Sequence, residues 1–205
     1  MLQNRVSPNG SIIKTKARGA WLGNRGVIHI GTEIVRAFKI KAWITCMLSF
    51  RGRHREIMQP NRWTELFFLD EATAFSAGHR PCFQCRYKDY IRFKEYWLKG
   101  NPQYGFDMKT SVKAIDDIIH MERIDMSGKK VTYTDQIGKL PDGVIIIEEE
   151  ECYLLSYGRL YHWTPYGYDS NEEAVPGRTV EVLTPRSVVN TFMAGYKPQI
   201  DKSAD

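Results

Sequence analysis

Apolar and aromatic residues recur at positions 87, 90, 91, 93, 97 and 98, close to the 3.6-residue period of an α-helix, and predict a helix over 87–99 with one buried side. Val112, Ile115, Ile118 and Ile119 repeat the pattern and predict a second helix over 112–121. A last helix is expected over 187–194, stopped by Gly195. After residue 128 the period changes. Short β-branched and aromatic runs at 129–133, 144–147, 153–155, 160–163 and 179–183 are split by Gly, Pro and Asp, which predicts five strands of a small antiparallel sheet. The acidic run 148–151 beside one of these strands reads as a solvated turn, and the aromatic concentration at 161–168 as packing for the sheet.

The first hundred residues are less regular. Polar residues and Pro8-Asn9-Gly10 turn chemistry predict a loose arm over 3–11. Gly23 and Gly26 around Asn24-Arg25 predict a tight loop ahead of a short strand at 27–31. A strand over 42–50 is expected to form a hairpin with 55–58 around an arginine-rich tip. Asp70 is placed to cap a helix that runs to about residue 77 and ends at Gly78, because its carboxylate can accept from the free amides of the first turn. Residues 201–205 read as a frayed tail. The fold class is therefore α+β, with residues 1–100 and 101–205 as two halves of one compact unit.

Charge divides the chain at the same place. Residues 1–100 carry 18 Lys and Arg against 7 Asp and Glu, whereas the remainder carries 11 against 17, so the modest net charge of +5 conceals a basic half and an acidic one. A basic half without a strongly apolar amphipathic helix favours nucleic acid over a membrane as its partner. No apolar run is long enough to cross a bilayer, and the first residues lack the order of a secretory signal. Four cysteines at 46, 82, 85 and 152 fit reduced thiols or a metal site better than a disulfide framework. These features predict a cytoplasmic, DNA-acting protein.

The most specific segment is Ala77-Gly78-His79-Arg80-Pro81-Cys82-Phe83-Gln84-Cys85-Arg86, in which a C-x2-C turn can present two sulfurs to one metal ion. With the preceding Phe67-x-x-x-Glu71-Ala72 it resembles the second half of the N-terminal zinc module of the Ada DNA-repair proteins. The match covers about 20 of 205 residues. That family also has an earlier C-x3-C pair, represented here by Cys46 with Phe50 four residues on. The resemblance implies a structural Zn2+, an Ada-like, treble-clef-type knuckle and a surface facing DNA. Cys46, Cys82 and Cys85 are the expected ligands. His29 is the choice for the fourth, because its strand could lie beside that of Cys46, with His54 and His79 as alternatives.

The chain has neither a G-x-x-x-x-G-K-[ST] phosphate loop nor a G-x-G-x-x-G turn, so no nucleotide cofactor is expected. His54-Arg55-Glu56 followed by Pro81-Cys82-x-x-Cys85 matches the elements of zinc-dependent nucleobase deaminases, although 52–56 reads as a turn rather than a helix start. A DNA glycosylase fits the remaining residues better, since hydrolysis of an N-glycosidic bond requires phosphate contacts, an aromatic to stack on an extruded base, an amide to read it and a carboxylate. Candidates for phosphate contact are Arg25, Arg51, Arg53, Arg55, Arg62, Arg80 and Arg86. Trp63, with Trp21, is a candidate for stacking. Asn24 is the candidate amide, and Glu65, Asp70 and Glu71 are the candidate carboxylates. The alternative is a zinc-dependent DNA-binding module without chemistry.

Overall fold

The computed structural model describes residues 1–52 and 56–204. In chain order the elements are β1 (Gln3–Val6), β2 (Ile12–Lys14), β3 (Trp21–Asn24), β4 (His29–Ile30), β5 (Glu33–Ile34), β6 (Ile44–Cys46), β7 (Leu66–Phe68), α1 (Glu71–Ser76) and β8 (Arg80–Pro81). They are followed by α2 (Tyr87–Gly100), α3 (Val112–Arg123), β9 (Tyr133–Gln136), β10 (Ile145–Glu148), β11 (Glu151–Ser156), β12 (Arg159–Thr164), β13 (Gly167–Glu173), β14 (Thr179–Val182) and α4 (Arg186–Met193). The architecture is α+β. A mixed sheet in the order β2-β1-β7-β3-β6-β8 comes from the first half, an antiparallel sheet in the order β13-β12-β11-β10-β14-β9 from the second, and β4-β5 form a small hairpin.

Alternation along the second sheet buries both of its faces, because successive side chains in a strand point to opposite sides. Ile146, Leu155, Leu160, Val180 and Val182 meet Phe75 of α1, Phe93 and Trp97 of α2, Ile115 and Ile119 of α3, and Phe192 of α4. Ile145, Leu154, Tyr161, Trp163 and Leu183 meet Leu69, Ala72, Tyr168 and Ala204 on the other side. The two halves that charge separates thus share their core.

Four expectations change in the first half and at the C-terminus. The arm is β1, paired with both β2 and β7, and it buries Asn4 and Val6. The glycine-punctuated segment is largely β3, an interior strand. Gly23 is required there not for its backbone freedom but because the Phe68 ring crosses it, and a Cβ would stand 2.2 Å from that ring. β6 pairs antiparallel with β3 and parallel with β8, not with the segment that follows the arginine-rich tip. Residues 201–204 of the predicted frayed tail are ordered: the Asp201 amide donates to Asp70, and Ala204 is buried.

In the second half, β13 is an additional strand, hidden from sequence patterning by its polar run Asp169–Glu173. The acidic turn is the β10-β11 hairpin, in which Glu149 and Glu150 both adopt positive φ, at 48° and 71°. The predicted cap is present, with Asp70 Oδ1 accepting from the Thr73 amide at 2.8 Å. Among the described residues, no helix is long and apolar enough to cross a membrane.

Candidate metal centre and its pocket

Alternation in β3, β6 and β7 directs Leu22, Ile44, Cys46 and Phe67 to one face of the first sheet. β8 lies parallel to β6, and the Cys82 amide donates to the Thr45 carbonyl at 2.9 Å, which brings the C-x2-C turn alongside Cys46. The sulfurs of Cys46, Cys82 and Cys85 lie within 4.8 Å of one another. Sulfurs sharing a tetrahedral zinc at about 2.3 Å would be about 3.8 Å apart, so these three could hold a metal ion with little rearrangement.

Their chemistry fits a soft cation. The Gln84 amide donates to Cys82 Sγ at 3.3 Å, as expected for a thiolate-like sulfur. Hydrogen bonds from the Cys46 and Cys85 thiols hold Cys82 well below the ordinary thiol range, and hydrogen bonding to Cys82 and Cys85 pushes Cys46 up. Cys152 lies apart in the core of the second sheet, where burial raises its thiol to about 12.

A cavity of about 590 Å³ opens beside the sulfurs. Its lining includes Asn24, Glu56, Gln59, Arg62, Trp63 and Glu65. Glu65 is buried, and its Oε2 accepts from the Met58 amide at 2.9 Å. Asn24 Oδ1 accepts from the Gly26 amide at 2.7 Å, which fixes the side chain at the end of β3. Arg62 is exposed, and Trp63 packs partly buried against the cysteines. The structure therefore brings Asn24, Arg62, Trp63 and Glu65 together at the three sulfurs. Glu56 and Gln59 join them from either side of a turn at 57–58, where the sequence pattern predicts a strand.

Other candidates are placed elsewhere. His29 does not join the sulfurs: it is buried on β4, with Nδ1 2.6 Å from Thr64 Oγ1. His79 is buried against Phe68 and Trp43 and accepts from Arg25 Nε at 3.2 Å. Arg80 forms a bidentate pair with Asp116, both bonds 2.7 Å, and is buried, so it is a strut between β8 and α3 and not a phosphate contact. Arg86 is equally enclosed by Glu71, Asp89 and Thr45 and stacks 3.8 Å from the Trp21 ring.

The same geometry removes two carboxylates from the candidate chemistry. Glu71 is held by Arg86, by the Tyr196 hydroxyl and by the Gln199 amide. Asp70 accepts from Thr73, Tyr168 and Asp201, and burial raises its carboxyl above the ordinary value. Trp21 donates its indole N–H to Gln199. Arg51 is exposed over the Phe50 ring, while Arg53, His54 and Arg55 lie outside the described residues. Arg25 is buried and faces a different cavity.

No protein-family model matches the chain, and comparison with curated proteins and with solved structures finds none that matches.

Proposed function

We propose that Cys46, Cys82 and Cys85 bind zinc and that the adjoining pocket receives a nucleobase on a DNA-acting hydrolase, a glycosylase that cuts the N-glycosidic bond of a modified nucleotide. One observation carries this reading: the three sulfurs, a tryptophan, three side-chain amides and a buried glutamate line a single cavity. Trp63 offers a stacking face and Asn24 and Gln59 offer amide groups for a base edge. Glu65 is the carboxylate for stabilising the sugar cation or drawing a proton from water, and the Met58 amide holds it in place. Exposed Arg62 at the rim, with Arg51 nearby in sequence, supplies phosphate contact.

A second reading is hydrolytic deamination of the base, favoured by the presence of Glu56 in the same cavity and by three thiol ligands among the described residues. Zinc held by three ligands supplies an activated water at its remaining position. One experiment separates these readings. Metal-loaded protein is incubated with DNAs and free nucleosides carrying different base modifications, and abasic sites and released ammonia are both measured. Abasic sites that vanish in Glu65→Gln with zinc retained support the glycosylase; ammonia supports the deaminase. Salt-sensitive DNA binding without either product leaves the protein as a binding module.

A further inference from the structure

Asn24 and Arg25 are consecutive, yet they line different cavities. The one that takes Arg25 measures about 780 Å³ and is bounded by the β1-β2 turn, residues 34–37 and the segment after α3. Its lining is strongly cationic: Arg25, Arg36, Arg123, Lys129 and Lys130 all contribute. Arg25 and Arg123 are each 2% exposed, and each places its guanidinium carbon 3.9 Å from the Trp43 ring.

None of the ion pairs formed among the described residues involves Arg25, Arg123 or Lys130. Arg25 donates Nη1 to the Gly10 carbonyl at 3.0 Å and Nε to His79, while its buried Nη2 has no partner. Arg123 donates to the carbonyls of Gly78 and Lys41, and its Nε is likewise unpartnered. Lys130 donates to the Ser76 carbonyl at 2.6 Å. The one carboxylate in the lining, Glu181, accepts from Thr132 Oγ1. Burial lowers Arg25 to about 9 and Lys130 to about 7, the lysine being further depressed by Arg123 and Arg25.

Buried cations of one sign are costly unless an anion meets them. Two guanidinium groups and an ammonium match a dianion better than a monoanion, and the planar fork of arginine suits phosphate oxygens. Ile34, Val35, Ile124 and Leu183 line the rest of the space, which is large enough for an organic body as well as the charged group. We infer that this cavity is a binding site for a phosphate monoester, with Arg25 Nη2 and Lys130 as its principal donors. The ligand chemistry is shared by a free phosphorylated metabolite and by the 5′-phosphate of a nucleic acid end.

The test is calorimetric titration of the full chain at constant ionic strength with inorganic phosphate, a nucleoside 5′-monophosphate, a 5′-phosphorylated oligonucleotide and its unphosphorylated form, with acetate as the monoanion control. Saturable binding of the monophosphates, weakened at least 10-fold in Arg25→Met and in Lys130→Met but unchanged in Glu65→Gln at the other cavity, is expected. Tighter binding of the oligonucleotide only when phosphorylated would assign the nucleic acid end; equal binding of the nucleotide would assign a small molecule. If Arg25→Met fails to fold, Lys130→Met alone decides. No saturable binding of any phosphate monoester, equal binding of acetate, or affinity unchanged in the folded variants would overturn the assignment. None of these outcomes depends on whether the cysteine pocket performs hydrolysis.

Discussion

Arg80 and Arg86, beside the cysteines, each meet a buried carboxylate, whereas Arg25 and Arg123, on Trp43, meet only carbonyl oxygens, nitrogens of histidine rings and the indole face. Both pairs of arginines are removed from water, so burial does not explain the difference. In the first region the charges are neutralised within the chain, and their work is to fasten β8 and the start of α2 to neighbouring elements. In the second they are held in position without neutralisation. A positive count in sequence therefore has two structural meanings in one protein, and only the second leaves the charge available to a ligand.

The largest effect should come from breaking the thiol cluster that the paired arginines surround. On the proposed zinc reading, Cys82→Ser is expected to lose the metal and several kcal/mol of stability, because metal affinity contributes directly to folding when its ligands come from distant strands; elemental analysis and thermal unfolding check it. Asp116→Ala is next. It strands Arg80 inside the protein and should cost about 3–5 kcal/mol in urea denaturation. Arg25→Met sharpens the contrast, since removal of an uncompensated charge while retaining bulk should change stability by less than about 1 kcal/mol in phosphate-free buffer.

A further predicted effect is a slope with pH. The Lys130 ammonium faces Arg123, Arg25 and Cys152, and its folded value of about 7 lies below the ordinary 10.5. Between those values the unfolded chain binds more protons than the native one, so the contribution of this group to stability rises as pH increases from about 7 toward 10.5. Lys130→Met should flatten that part of a stability profile measured by denaturant unfolding; an unchanged slope would mean that the ammonium remains well solvated.

Much of the helical framework was legible because its signals are local. The period of 87–99, the inward residues of α3, the stop at Gly195 and the Asp70 cap depend on residues a few positions apart. The cysteine cluster was legible for a different reason, since C-x2-C constrains two ligands and Cys46 stood on an evident strand. β3 was not, because Gly23 suggests a loop until the Phe68 ring above it is known. β13 carries too many polar residues to show an apolar alternation. The fate of the arginines was hidden most completely, as Asp116 and Glu71 lie 36 and 15 residues from the guanidinium groups they neutralise. Asn24, Arg62, Trp63 and Glu65 could be nominated by residue type, but only the crossing of β3, β6 and the turn before β7 shows that they share a cavity.

The hydrogen bonds at the start of α1 impose an order on biosynthesis. Glu71 receives the Gln199 amide, 128 residues downstream, and Asp70 receives that of Asp201. At translation rates of about 5–20 residues per second, the N-terminal sheet therefore waits on the order of ten seconds for its final fastening. Until residues 199–201 are made, the first turn of α1 lacks the amides from which its two carboxylates accept.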